Sequence, residues 1–197
     1  MAEYTWINPS TMLCPTPVVL VSCGEKDHPE NRNLVTVAWA GTVNSEPPMV
    51  SVSLRKERYS HGLISSSGEF VVNLVDEALA KATDFCGVRS GRDLDKAKEL
   101  GLKLVPADGM ETAPRVDGAP VSLSCRVRQV LPLGSHDMFL GEVTAVEVRK
   151  DLLDENGVLH LEKAGLVATA TGCITGWGKS WASSAGPWPG RKCWKSG

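Results

Sequence analysis

One stretch of the chain, Arg55-Lys56-Glu57-Arg58-Tyr59-Ser60-His61, gathers three cations, a hydroxyl and an imidazole directly after an alternating apolar segment. Such a group suits an anion. The planar guanidinium fork matches phosphate oxygens, and backbone N–H groups at a strand end can turn toward the same ligand. On its own, the stretch reads equally well as a solvated basic helix start. Two segments nearby carry the complementary feature. In Asn33–Gly41, Leu34 apart, Val35, Val37 and Trp39 alternate with Thr36, Ala38 and Ala40; in Pro48–Leu54, Val50, Val52 and Leu54 alternate with Met49, Ser51 and Ser53. One face of each is large and apolar. The other is small or hydroxylated, which lets a flat ligand approach the backbone or, equally, lets a helix pack there. His136 and Cys86 complete the residues able to do chemistry in this part of the sequence.

Other chemistries lack their signatures. No G-x-G-x-x-G supports a Rossmann-type site, and no G-x-S-x-G supports a serine hydrolase. Gly178-Lys179-Ser180 looks like the end of a phosphate loop, but the glycine required five positions before Gly178 is replaced by Cys173. The four histidines and six cysteines show no metal-ligand spacing and no CxxC. A net charge of -2 over 197 residues gives no footprint for nucleic acid. No apolar run approaches a membrane span, and Met1–Ser10 has no signal-peptide pattern. The expectation is a cytoplasmic protein with free thiols.

The elements that must position these residues are mainly strands. Period-two alternation or short Val-rich runs mark Pro17–Cys23, Asn33–Gly41, Pro48–Leu54, Glu69–Leu74, Ala119–Leu133, Met138–Lys150 and Val167–Thr171. Asn44–Pro48 supplies a turn. Helices are predicted near Tyr59–Ile64 and over Asp76–Phe85, the latter with Asp76 as N-cap. Residues 93–119 read as irregular, with one helical turn at Asp95–Leu100. Without a βαβ rhythm, the pattern predicts a mostly β, antiparallel barrel with a few helical insertions.

Four segments in order, N-x-x-T-x-A at Asn33–Ala38, P-P-x-V-x-V-S-L at Pro47–Leu54, S-G-E-F-V-V-N-L at Ser67–Leu74 and H-x-x-F-x-G-E-V at His136–Val143, resemble the flavin reductase-like family, and within it the flavoredoxin branch. The resemblance extends over roughly residues 10–170. It implies a Greek-key split β-barrel, bound FMN, and NADH or NADPH as hydride donor to the flavin. Electrons would then pass to free flavin or a redox protein partner. The alternative it implies is an electron carrier reduced by a protein. It also implies a homodimer with the flavin near the subunit interface. Carried over by residue, Thr36, Val37, Ala38, Trp39, Ser51, Val52, Ser53 and Leu54 would line the flavin. Asn33 is a further candidate, although it could instead cap a turn. Arg55, Arg58, Ser60 and His61 would hold its phosphate. Phe85, Cys86, Gly87 and Ser90 would belong to a loop that closes over it, and His136 would sit near the ring and the nicotinamide pocket. Cys86 reads better as a packed thiol than as a redox group. One departure stands out: the family commonly has Gly-Asp before this histidine, where here Gly134-Ser135 stands.

Residues 1–175 are expected to form the domain and residues 176–197 a tail. Of the eleven aromatic residues six are Trp, and Trp177, Trp181, Trp188 and Trp194 crowd the last 21 positions. No Asp or Glu follows Glu162. A basic, Trp-rich segment on an acidic body is expected to fold back onto the barrel or a second subunit, because each Trp carries about 150–250 Å² of mostly apolar surface.

Overall fold

The computed structural model describes residues 1–170 and 173–176, so the Trp-rich tail lies, Gly176 apart, outside the described residues. The strands are β1 (Thr16–Pro17), β2 (Val19–Gly24), β3 (Arg32–Val37), β4 (Ala40–Ser45), β5 (Pro48–Arg55), β6 (Glu69–Leu74), β7 (Leu104–Pro106), β8 (Pro114–Val116), β9 (Val121–Pro132), β10 (His136–Val148), β11 (Val167–Ala170) and β12 (Cys173–Gly176). The helices are α1 (Tyr59–Ser67), α2 (Ala80–Val88) and α3 (Lys96–Glu99). Seven strands form one antiparallel sheet in the order β3-β2-β6-β9-β10-β5-β4. Helix α1 leaves β5 and returns the chain to β6 on the other side of the sheet.

The alternation in β5 sorts its residues as expected, with Val50, Val52 and Leu54 buried and Met49, Ser51 and Ser53 only partly so. These three meet Val35 and Val37 of β3 in one core with Val19, Val21, Phe70, Val72, Cys125 and Phe139. Both ends of the sheet therefore curl around a common interior, which makes the fold a barrel. A second core on the outside of β2 and β3 joins Leu20, Leu34, Val75, Leu79 and Cys86. That is why β3 lacks a clean alternation: α2 and α3 cover its outer face, so Leu34 and Val35 are both buried.

The sequence reading is corrected at three places. Asn33–Gly41 is two strands, because the chain bends at Ala38-Trp39 between β3 and β4. Ser53 N–H donates to Trp39 O (2.9 Å), and Trp39 turns outward, 43% exposed. The second helix begins at Ala80. Asp76 pairs with Leu166 in a β-bridge, so its carboxylate caps only a preceding turn, accepting from Leu79 N–H (3.1 Å), and it also pairs with Arg149 (3.1 Å). Residues 93–119 contain the β7–β8 hairpin beside the expected turn of α3. Asn73 explains why that hairpin docks. Its buried amide donates to Leu20 O and Ser22 Oγ (2.9 Å each) and accepts from Val116 N–H and Ser122 Oγ (2.9 Å each), tying β2, β8 and β9 to β6.

Candidate functional site

Where β3, the bend and β5 run side by side, two hollows share Val35, Arg55 and Arg58 and form one cleft. The larger, about 280 Å³, is lined by Asn33, Glu57, Tyr59, Ser60, Arg89, Ser90, Gly91 and Lys96 besides the shared residues. The smaller, about 180 Å³, is walled by Thr36 to Trp39, Ser53, Leu54 and His136.

The larger end is electropositive. Arg55, Arg58, Arg89 and Lys96 face it against one carboxylate, Glu57. Helix α1 also begins here. Arg58 occupies its N-cap in an extended conformation (φ -68°, ψ 135°), makes no side-chain cap, and the first turn holds no acid. His61 N–H bonds back to Arg58 O (3.0 Å). An uncapped N-terminus with its positive end of the helix dipole is a site for negative charge. Asn33, 5% exposed, donates to Ser60 Oγ (2.8 Å) and fixes the hydroxyl at this end. Gly91 packs on Asn33 so closely that a Cβ there would collide with its Oδ1. Arg92 straps the same loop down by donating to Glu57 O (2.7 Å) and lying over Tyr59.

The narrow end is built from small side chains and two rings. Thr36 Oγ1 donates to Thr83 O of α2, which fixes the floor. His136, opposite Arg55 in the β10–β5 register, rests on Trp39 with ring centroids 4.6 Å apart. Partial burial and the Arg55 charge hold its imidazole below the usual histidine range, and Glu57 opposes this weakly.

Several expected site residues do not line the cleft. Ser51 lies on the outer sheet face, and Val52 points into the barrel. His61 turns away: its Nε2 lies 2.8 Å from Asp137, which Lys56 also approaches at 3.4 Å. That carboxylate sits on the inward face of β10 and draws both groups from the anion end, and His61 keeps its aromatic edge on Phe139. Phe85 and Gly87 lie on α2 behind β3. Cys86 is buried in the second core, its thiol pushed up to about 11 by burial, so it is a packed thiol there. Val35, Glu57, Tyr59, Arg89, Gly91 and Lys96 complete the lining without having been expected. Arg89 and Gly91 adjoin Ser90, which was expected, so a wider window around that loop would have found them. Lys96 carried no signal, since a lysine in a helical turn reads as a solvated face. Yet it is 3% exposed, and its Nζ donates to Leu34 O (2.7 Å) and Cys86 O (3.1 Å).

A split β-barrel with a basic cleft at its rim is the class that fold and site define. The family follows directly: residues 11–165 match the flavin reductase like domain, and the chain belongs to that family. Among solved structures it is similar to the flavoredoxin of Desulfovibrio vulgaris (Miyazaki F), with a TM-score of 0.81 and 29% identity, covering 94% of this chain and 100% of that one. Among sequence relatives it is 32% identical over 139 residues to a protein of Deinococcus radiodurans, covering 68% of this chain and 61% of that protein. It is 28% identical over 128 residues to the FMN reductase (NADH) RutF of Stutzerimonas stutzeri, covering 65% and 70%. The match thus spans less than two thirds of the Deinococcus protein. No helix among the described residues is long and apolar enough to cross a membrane.

Proposed function

We propose that this chain is an FMN-dependent oxidoreductase that uses NADH or NADPH and delivers electrons to free flavin or another acceptor. The observation that carries the reading is the two-ended cleft, with four cations and an uncapped helix start at one end and a narrow slot of small side chains at the other. These residues fit FMN. Arg55, Arg58, Arg89, Lys96, Ser60 and Ser90 would hold the phosphate end. Ala38, Trp39, Ser53 and His136 would border the flat ring. Bound FMN supplies hydride acceptance and electron transfer; the protein supplies placement, charge and exclusion of water.

In this reading Arg58 does two jobs, lending its guanidinium to the phosphate and, as an N-cap that makes no side-chain cap, leaving the Tyr59 and Ser60 N–H groups of α1 for the ligand. A charge-assisted contact is worth about 1.5–3 kcal/mol. Arg58→Ala should therefore weaken FMN binding about tenfold or more, measured by quenching of flavin fluorescence. Unchanged affinity would place the phosphate elsewhere.

A second reading, an electron carrier reduced by a protein partner, is favoured by the full-length likeness to the Desulfovibrio flavoredoxin. Anaerobic mixing of FMN-loaded protein with NADH and with NADPH separates the two. Bleaching of the visible flavin band supports the first; no bleaching with either nucleotide supports the second. The homodimer belongs to the same proposal. The N-terminal arm exposes Tyr4, Trp6, Ile7, Met12 and Leu13, apolar surface a second copy would cover, and sedimentation of the same sample as a monomer would remove this part.

A further inference from the structure

His136 enters the cleft from the first position of β10, and the residue before it sits in a tight turn. Leu133 N–H donates to His136 O (2.9 Å), and Gly134 takes a positive φ of 92°, so glycine is demanded at 134 alone. Ser135 Oγ lies 2.9 Å from His136 Nδ1. Trp39 supports one side of the ring, and Nε2 has no hydrogen-bond partner among the described residues. The charged groups nearby are Arg55 across the strand pair, Glu57 beyond it and Arg58 in the same wall. Asp137 faces inward and is taken by His61 and Lys56.

We propose that Ser135 is a positioning residue for His136: its hydroxyl donates to Nδ1, so the neutral imidazole carries its proton on Nε2 and offers it as a donor at the narrow end of the cleft. The use made of that donor, bonding an electron-rich carbonyl of the bound ring or of the nicotinamide, rests on the flavin reading above.

The polarity follows from hydrogen-bond capacity. A neutral imidazole has one N–H and one bare nitrogen, and a hydroxyl can satisfy either. Arg55 disfavours an added positive charge on the ring, which keeps it neutral and leaves one nitrogen to accept. A carboxylate at 135 could only accept. In the neutral ring it would place the proton on Nδ1 and leave Nε2 bare, the reverse of what the hydroxyl gives, and it would raise the ring's affinity for a second proton. Hydroxyl and carboxylate at this one position therefore set opposite characters for the same histidine.

Imidazole ¹H–¹⁵N spectra of the ligand-free protein, with the His136 signal assigned by its loss in His136→Gln, test the proposal directly. The wild type should show the Nε2–H tautomer, retained in Ser135→Thr. Ser135→Ala should give mixed tautomers. Ser135→Asp should shift the proton to Nδ1 and raise the titration midpoint by about one pH unit or more. In FMN-loaded protein, reduction by saturating NADH or NADPH should slow about tenfold or more in the Ala and Asp variants and stay near wild type in Thr, with FMN affinity held. An Nδ1–H tautomer in the wild type, or spectra unchanged in both Ala and Asp, would overturn the proposal. A wild type with the expected tautomer that fails to reduce flavin supports the positioning role and counts against the reductase reading alone.

Discussion

Replacing Lys96 with methionine should raise the dissociation constant for FMN about 100-fold while the chain still folds. The reason lies in an unbalanced charge. The ammonium is 3% exposed, two of its three N–H groups are spent on Leu34 O and Cys86 O, and burial lowers its affinity for the proton. Among the described residues no carboxylate pairs with it; the charge acting on it besides the Cys86 and Cys23 thiols is Arg58, of like sign. A buried ion without a counterion costs several kcal/mol. A phosphate at the basic end of the cleft would supply the missing charge, and the third N–H would meet it. Methionine removes the desolvation cost and leaves two carbonyls unpaired at about 1–3 kcal/mol each, so the ligand-free protein should lose only modest stability. Loss of the ionic contact falls on binding, about 1.5–3 kcal/mol. Flavin fluorescence titration reads the affinity, and melting with and without FMN reads the coupling. The melting gain on adding FMN should shrink in the variant; an equal gain in both would dismiss Lys96 as a phosphate ligand.

The same lysine sets a pH dependence whose sign can be fixed. Its folded proton affinity is depressed, so between the folded and unfolded titration points the unfolded chain binds more protons. Ligand-free stability therefore rises with pH through that window, which lies below the ordinary lysine range. An anion beside the ammonium restores proton affinity, so FMN binding takes up protons there and weakens as pH rises. Lys96→Met should flatten both trends.

How much of this was legible beforehand depends on what each residue's position is decided by. The period-two pattern of β5 is a local consequence of one buried face, and it reads true. The basic segment after it was also legible, because strand end and helix start are adjacent in sequence. His61 was misplaced since its partner, Asp137, lies 76 residues away, and only the β5–β10 pairing brings the two together. Trp39 shares the parity of Val35 and Val37 but not their burial, because a bend, which periodicity does not register, intervenes. Lys96 was missed for a related reason. Whether a cation on a short helix is solvated or faces a cleft is decided by the strand it packs on, here β3, more than 50 residues earlier. The family motif supplied what local pattern could not, by marking which strands meet at the site.

One glycine in that motif carries a purely steric demand, and it yields the second large effect. Gly141 is buried in β10, and a Cβ placed there would lie 2.5 and 2.8 Å from Phe70 ring carbons and 3.1 Å from Cys125 Cβ. Phe70 is fully buried in β6, inside the core that also holds Phe139, two residues before Gly141. The ring fills the space the missing side chain leaves, which explains why aromatic and glycine meet over the intervening strand β9. Gly141→Ala must displace a ring that has no solvent to move into, an overpacking cost of about 1–3 kcal/mol. Phe70→Leu alone leaves a void and also destabilises. Together the two should cost less than their sum, because the smaller side chain yields room for the new methyl, and a double-mutant cycle by chemical denaturation measures the difference. Strict additivity would show that Phe70 does not set the glycine. The strain also reaches the site: the same strand, β10, carries His136 to the cleft five residues earlier. Gly141→Ala should therefore weaken FMN binding as well, and Phe70→Leu in the same chain should recover part of it.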